Sequence, residues 1–296
     1  MRRPGLLAAL LGLAGRRQGP LRERLGDRFG VARDATPLEL PQGVRSIVDL
    51  PYGDDPAQRL DLYLPAATRP TSLLLYVHGG GWQRGDKAMA QMVANKVPHW
   101  TSRGVAVASM NYRMLPQADV LQQADDVARA LAFVQAKAAD WGVDGGRVAL
   151  VGHSAGAHLA ALVTADPEVA GAWGASAWRG TVALDSAALD MVAVMQRPHY
   201  RFYDPVFGSD PAFWQRASPL HRLQGPPVAP LLLVCSSLRD DSEPAARAFA
   251  AKAANRGGRA EVLTVPLRHM ELNDQLGLSG DYTAAVDAFL ASVGIH

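Results

Sequence analysis

The sequence predicts an α/β domain built on a mostly parallel sheet of about eight strands with helices on both faces. Two observations carry that expectation. Short, almost wholly apolar runs recur along the chain, as strands buried on both faces require, and they alternate with segments of helical period. A third observation orients the domain: the glycine-rich and acidic loops fall after the ends of the apolar runs. In such sheets that is the edge where ligands bind.

Strands are expected at 44–50, 60–63, 72–77, 105–110, 148–151, 180–184, 229–235 and 261–265. The first two read as an opening pair around the turn Tyr52-Gly53-Asp54-Asp55-Pro56. Helices are expected at 88–103, with Gly104 as C-cap, and at 122–139, 157–163, 245–256 and 282–293. Residues 187–223 form a longer connection rich in aromatics: Tyr200, Phe202, Tyr203, Phe207, Phe213 and Trp214. Some of these are expected to cap a pocket and others to be core. No internal repeat appears, which excludes a solenoid.

At 296 residues the chain suits one large catalytic domain, expected over 44–296, preceded by a basic segment and linker over 1–43. Eight Arg against Glu23, Asp27 and Asp34 give residues 1–34 a net +5, which leaves −3 for the rest of a chain carrying +2. That balance argues against a nucleic-acid partner. Leu6 to Gly15 is too short to span a membrane. It reads as an amphipathic helix packed on the domain, with peripheral membrane contact through 1–34 as an alternative. The packed reading implies a cytoplasmic protein; a cleaved signal ending near Ala14 would imply a secreted or periplasmic one. Cys235 stands alone in an apolar run and reads as a buried strand residue, so no disulfide or thiolate metal site is expected. No cofactor is called for.

Gly152-His153-Ser154-Ala155-Gly156 is a G-x-S-x-G pentapeptide between an apolar strand and a helix-forming run. A strand that turns this sharply into a helix projects one hydroxyl from the sheet and leaves no room for side chains at the flanking positions. Ser154 is the candidate nucleophile. A serine hydroxyl needs a base, and of eight histidines His269 is favoured because it follows the last strand directly, at the ligand-binding edge. An acid must hold the imidazole in one tautomer. The loop after the strand ending at Cys235 offers Asp240, Asp241 and Glu243; Asp185 and Asp190 follow an earlier strand and are less favoured. His78-Gly79-Gly80-Gly81-Trp82 ends another strand, 73 residues before the serine counted from Gly81. Its backbone can approach a substrate oxygen closely, so the N–H groups of Gly80, Gly81 and Ala155 are the candidate oxyanion hole. His78 is expected to brace that loop, and Trp82 to be either pocket wall or core.

These motifs together resemble the α/β-hydrolase superfamily, and within it the esterase group related to hormone-sensitive lipase, feruloyl esterases and kynurenine formamidase. The matching stretches include Leu60-Asp61-Leu62-Tyr63-Leu64-Pro65, His78 to Trp82, Asn111-Tyr112-Arg113, Gly152 to His158, Ala217-Ser218-Pro219-Leu220 and His269. The resemblance implies a serine esterase working on a small-molecule carboxylic ester through an acyl-enzyme, with an N-formyl amide as the alternative substrate. Asp240-Asp241-Ser242 resembles relatives in which the acid directly precedes a serine, which points to Asp241. Formamidases usually carry an aromatic where this chain has Gly81, which places a general esterase ahead. A non-catalytic binding relative is disfavoured by the intact serine, histidine and acid.

Overall fold

The computed structural model describes residues 39–296. The basic segment 1–34 and its expected amphipathic helix lie outside the described residues. One eight-stranded sheet runs in the order β1-β2-β4-β3-β5-β6-β7-β8. The strands are β1 (Arg45–Pro51), β2 (Arg59–Leu64), β3 (Thr71–Val77), β4 (Ala106–Met110), β5 (Val143–His153), β6 (Gly180–Leu184), β7 (Leu231–Ser236) and β8 (Ala260–Val265). β1 and β2 pair antiparallel, as does β2 with β4, and every later pairing is parallel.

The strands are apolar on both faces because helices cover both. In β3, Leu73, Leu75 and Val77 point into one cluster and Leu74 and Tyr76 into the other, the period-two alternation of a pleated strand. Helices α1 (Val120–Lys137), α2 (Ala155–Ala165) and α3 (Ser242–Asn255) pack on the first side. The opposite side is covered by Trp100 and by Phe289 and Leu290 of the closing helix, Asp281–Ser292. Each fully buried Leu in β3 contributes roughly 1.5–3 kcal/mol through apolar burial. Helix α1 starts at Val120, two residues before the expected 122, because Asp119 caps it: its side chain accepts from Gln122 N–H, and its own N–H donates to Gln122 Oε1.

The helix expected over 88–103 is instead two short pieces, Ala90–Val93 and Lys96–Thr101. Pro98 explains the break. It lacks an N–H, and its ring crowds the carbonyl four residues back, at Ala94. The connection over 187–223 is folded into short helices, among them Met191–Met195, Asp204–Phe207, Pro211–Arg216 and Pro219–Arg222. Among the described residues no helix is long and apolar enough to cross a membrane.

Candidate active site

The site forms at the carboxyl ends of the parallel strands. Ser154 sits between β5 and α2 with φ 55°, a left-handed conformation for a non-glycine residue. Glycine flanks it because nothing else fits. A Cβ on Gly152 would come within 3.0 Å of the Gly156 backbone, and one on Gly156 within 3.0 Å of the β3 backbone at Val77. The turn therefore depends on α2 packing directly against β3.

His269 opens the helix α4 (His269–Gln275), a seven-residue element too short to read from periodicity. Its Nε2 lies 3.0 Å from Ser154 Oγ. Its Nδ1 lies 2.6 Å from Asp185 Oδ2. With Nδ1–H donated to the carboxylate, Nε2 is left with the lone pair that can accept a hydrogen from Ser154. Asp185 follows β6, the strand paired with β5 on one side and β7 on the other. Its own N–H donates to Val234 O at 2.7 Å, and Ser236 N–H donates to its Oδ1 at 3.0 Å. Burial alone would raise the Asp185 carboxyl. The hydrogen bond to His269, the Arg239 charge and the Ser236 amide outweigh it and hold the group well below the usual carboxylate range.

This corrects the expected acid. Asp241 does not reach His269; both its oxygens are taken by Arg239, from Nε at 3.0 Å and Nη2 at 3.1 Å. Asp240 is exposed, Glu243 pairs with Arg247, and Asp190 caps the Met191–Met195 helix. The signal for Asp185 was its place after β6: Leu184 pairs with His153 in register, which sets the next residue beside Ser154. The residue that sequence reasoning missed is Arg239, whose Nη1 donates to Asp185 Oδ2 at 2.8 Å.

The glycine-rich loop lies against the serine. Gly81 lines the same pocket as Ser154. Gly80, at φ 125°, turns the loop, and its carbonyl accepts from Gln83 and Arg84 N–H. Ala155 is the first residue of α2, so its N–H is one of the helix-start amides without an intrahelical acceptor. His78 is fully buried, stacks on Tyr112 at 4.4 Å and donates Nδ1–H to Gly79 O at 2.7 Å. Burial pushes its imidazole down to about 4, so it braces the loop as a neutral ring. Trp82 is both core and wall: it is buried, lines the pocket, and donates Nε1–H to His158 Nδ1 at 3.2 Å. His158 passes the chain on, donating Nε2–H to Ala217 O at 2.7 Å, which ties the long connection to α2.

His153 stands behind the base. Its ring lies 4.6 Å from that of His269, and its Nε2–H donates to His269 O at 2.9 Å. Burial, then the neighbouring His269, push the His153 imidazole well down, so it is a neutral brace.

The pocket in front of Ser154 has a volume of about 690 Å³. Tyr200, Phe202 and Tyr203 of the connection line it with Leu238 and Met270, beside the polar Ser154, His269, Arg239, Arg268 and Glu271. Phe207 is buried core, and Trp214 donates Nε1–H to its carbonyl at 3.1 Å. Cys235 is buried in β7. Among the described residues no cluster of His, Cys, Asp or Glu is arranged to hold a metal.

A mostly parallel sheet whose fifth strand ends on a G-x-S-x-G turn, with a histidine and a carboxylate from later loops converging on the serine, defines an α/β-hydrolase fold. The comparisons agree, and they support the α/β-hydrolase esterase group that the motifs resemble. The family model BD-FAE matches residues 60–174. The chain is similar to the Arabidopsis thaliana protein named "Probable isoprenylcysteine alpha-carbonyl methylesterase ICMEL1", with 40% identity over 118 residues, 40% of this chain and 24% of that one. It is similar to kynurenine formamidase of Danio rerio, with 35% identity over 120 residues, 40% of this chain and 39% of that one. The matched stretches thus span well under half the length of these relatives. Among solved structures, Thermogutta terrifontis esterase 2 phosphonylated by sarin superimposes with a TM-score of 0.70, at 22% identity, over 88% of this chain and 98% of that one.

Proposed function

We propose that this protein is a serine esterase that hydrolyses small carboxylic esters through an acyl-enzyme. The observation that carries the reading is the continuous chain Ser154 Oγ, His269 and Asp185, with steps of 3.0 and 2.6 Å, in a pocket lined in part by Tyr200, Phe202 and Tyr203. Ser154 Oγ attacks the ester carbonyl while His269 Nε2 takes its proton, and Asp185 stabilises the resulting imidazolium. The oxyanion is received by the backbone N–H groups of Ala155 and the Gly80–Gly81 turn. Collapse of the tetrahedral intermediate breaks the acyl–oxygen bond, and His269 returns the proton to the leaving alcohol. Water then attacks the acyl-serine, giving its proton to His269, and the acid leaves as Ser154 recovers its hydrogen.

A second reading, hydrolysis of an N-formyl amide by the same machinery, is favoured by the local similarity to kynurenine formamidase. Rates on nitrophenyl esters of increasing acyl length, measured beside N-formylkynurenine, separate the two. An esterase turns over the nitrophenyl series with the higher kcat/KM. A preference for the formamide would replace that reading with the second.

A further inference from the structure

Arg239 is a group that the proposed chemistry leaves without a part, although it touches both Asp185 and His269. Its Nε and Nη2 donate to the two oxygens of Asp241, and its Nη1 donates to Asp185 Oδ2. Nη1 also lies 2.8 Å from His269 Nδ1. In the tautomer that serves catalysis both of these nitrogens carry hydrogen, so the contact is no hydrogen bond: two donors converge on one carboxylate oxygen. The guanidinium is largely buried, so solvent screens its charge little.

We propose that Arg239 is a positioning residue: anchored on Asp241, it clamps Asp185 against His269 and sets a fixed cation against the pair, opposing positive charge on the imidazole. The inference rests on the serine-hydrolase reading. Its geometric core is the two-point grip of Asp241, which leaves the guanidinium one direction in which to point. A bare buried carboxylate at 2.6 Å would draw a proton onto His269 strongly. The Arg239 charge on the same oxygen offsets that pull.

The other groups facing His269 do not supply this offset. His153, from the end of β5, is neutral, and Lys96 lies behind it, held by the carbonyls of Gln91 and Asn273. On its own helix, Arg268 and Glu271 pair with each other at 3.3 Å. Tyr203 and Tyr282 are raised well above the ordinary phenol range by burial and carry no charge. Arg239 is therefore the cation placed on the pair itself, and Asp241, which stands where the sequence suggested the acid, is its anchor.

The test is a histidine NMR titration of the full chain, with His269→Gln identifying the His269 signal, run beside the pH profile of kcat/KM on 4-nitrophenyl butyrate. In Arg239→Gln the His269 midpoint should rise by about one pH unit or more. The acid limb of the rate profile should move with it, a roughly tenfold loss on the acid side. Arg239→Lys, which keeps the charge, should recover much of the shift. The double variant Arg239→Gln/Asp241→Asn removes the anchor charge as well, guards against misfolding from a bare carboxylate, and should still titrate higher than the wild type. A His269 midpoint at the wild-type pH in either Gln variant overturns the proposal, because a purely structural ion pair would lower the rate without moving it. The NMR midpoint is readable even if no ester is cleaved, so failure of the esterase reading and failure of this one are distinct results.

Discussion

Asp185 Oδ2 lies 2.6 Å from His269 Nδ1, joining the end of β6 to the start of α4 across 84 residues of chain. The carboxylate is fully buried, receives Ser236 N–H on its other oxygen, and needs no movement to hold the imidazole in one tautomer. The assignment of the acid to Asp185 leads to the first prediction. Asp185→Asn should lower kcat by on the order of 10²–10⁴, since the imidazole loses its partner and its tautomer. Asp241→Asn should cost less, because Asp241 acts only through Arg239. Steady-state kinetics on one nitrophenyl ester decide it, and the reverse ranking would return the acid to the loop after β7.

How far the sequence reveals this site depends on the range of the interactions. Ser154 is legible because its turn is a local event: strand, two obligatory glycines, helix, all within a few residues. His269 is legible from its place after the last strand. The acid is not, since Asp185 and Asp241 both follow strands at the catalytic edge, and a side chain outside either motif, Arg239, decides between them. The sheet is legible because its strands are apolar on both faces; the break in the 88–103 helix turns on Pro98, a signal present in the sequence and passed over in expecting one helix. The wall formed by Tyr200, Phe202 and Tyr203 was legible only as an aromatic-rich stretch, because which rings face the pocket depends on how the short helices fold back.

The second prediction concerns glycine. Gly156→Ala places a methyl group within 3.0 Å of backbone atoms of β3, where no flexible side chain can yield. It should abolish soluble, folded protein or cost several kcal/mol, on the order of a severe core overpacking. Gly171→Ala meets nothing within 4 Å and has no left-handed φ, so it should be neutral or slightly stabilising. Urea melts of the two variants provide the comparison.

The third concerns pH and stability. His78 and His158 are buried with imidazoles pushed from 6.5 down to about 4. The unfolded chain therefore binds protons that the folded chain refuses as pH falls from 6.5 toward 4. The stabilisation is complete above 6.5 and is lost through that window, on the order of 3 kcal/mol per imidazole when fully developed. Unfolding free energy should drop by a few kcal/mol between pH 7 and pH 5, and less steeply in His158→Gln. A flat profile in the wild type would show that these rings protonate without cost.

The fourth concerns the link between pocket wall and nucleophile helix. His158→Ala leaves Trp82 Nε1–H and Ala217 O without their partner in a buried setting. About 2–4 kcal/mol of stability should be lost, from the cavity and the unpaired groups together. Chemical denaturation reads the loss, and a change under 1 kcal/mol would mean that water replaces the imidazole.

The central claim is that Ser154 is the nucleophile. The most direct measurement is mass spectrometry of the intact and digested protein after treatment with a fluorophosphonate probe. One adduct is predicted, on the peptide containing Ser154, formed alongside loss of esterase activity and absent from folded Ser154→Ala protein. Labelling of Ser154→Ala at the wild-type rate, or near-wild-type ester hydrolysis by that variant, would contradict it.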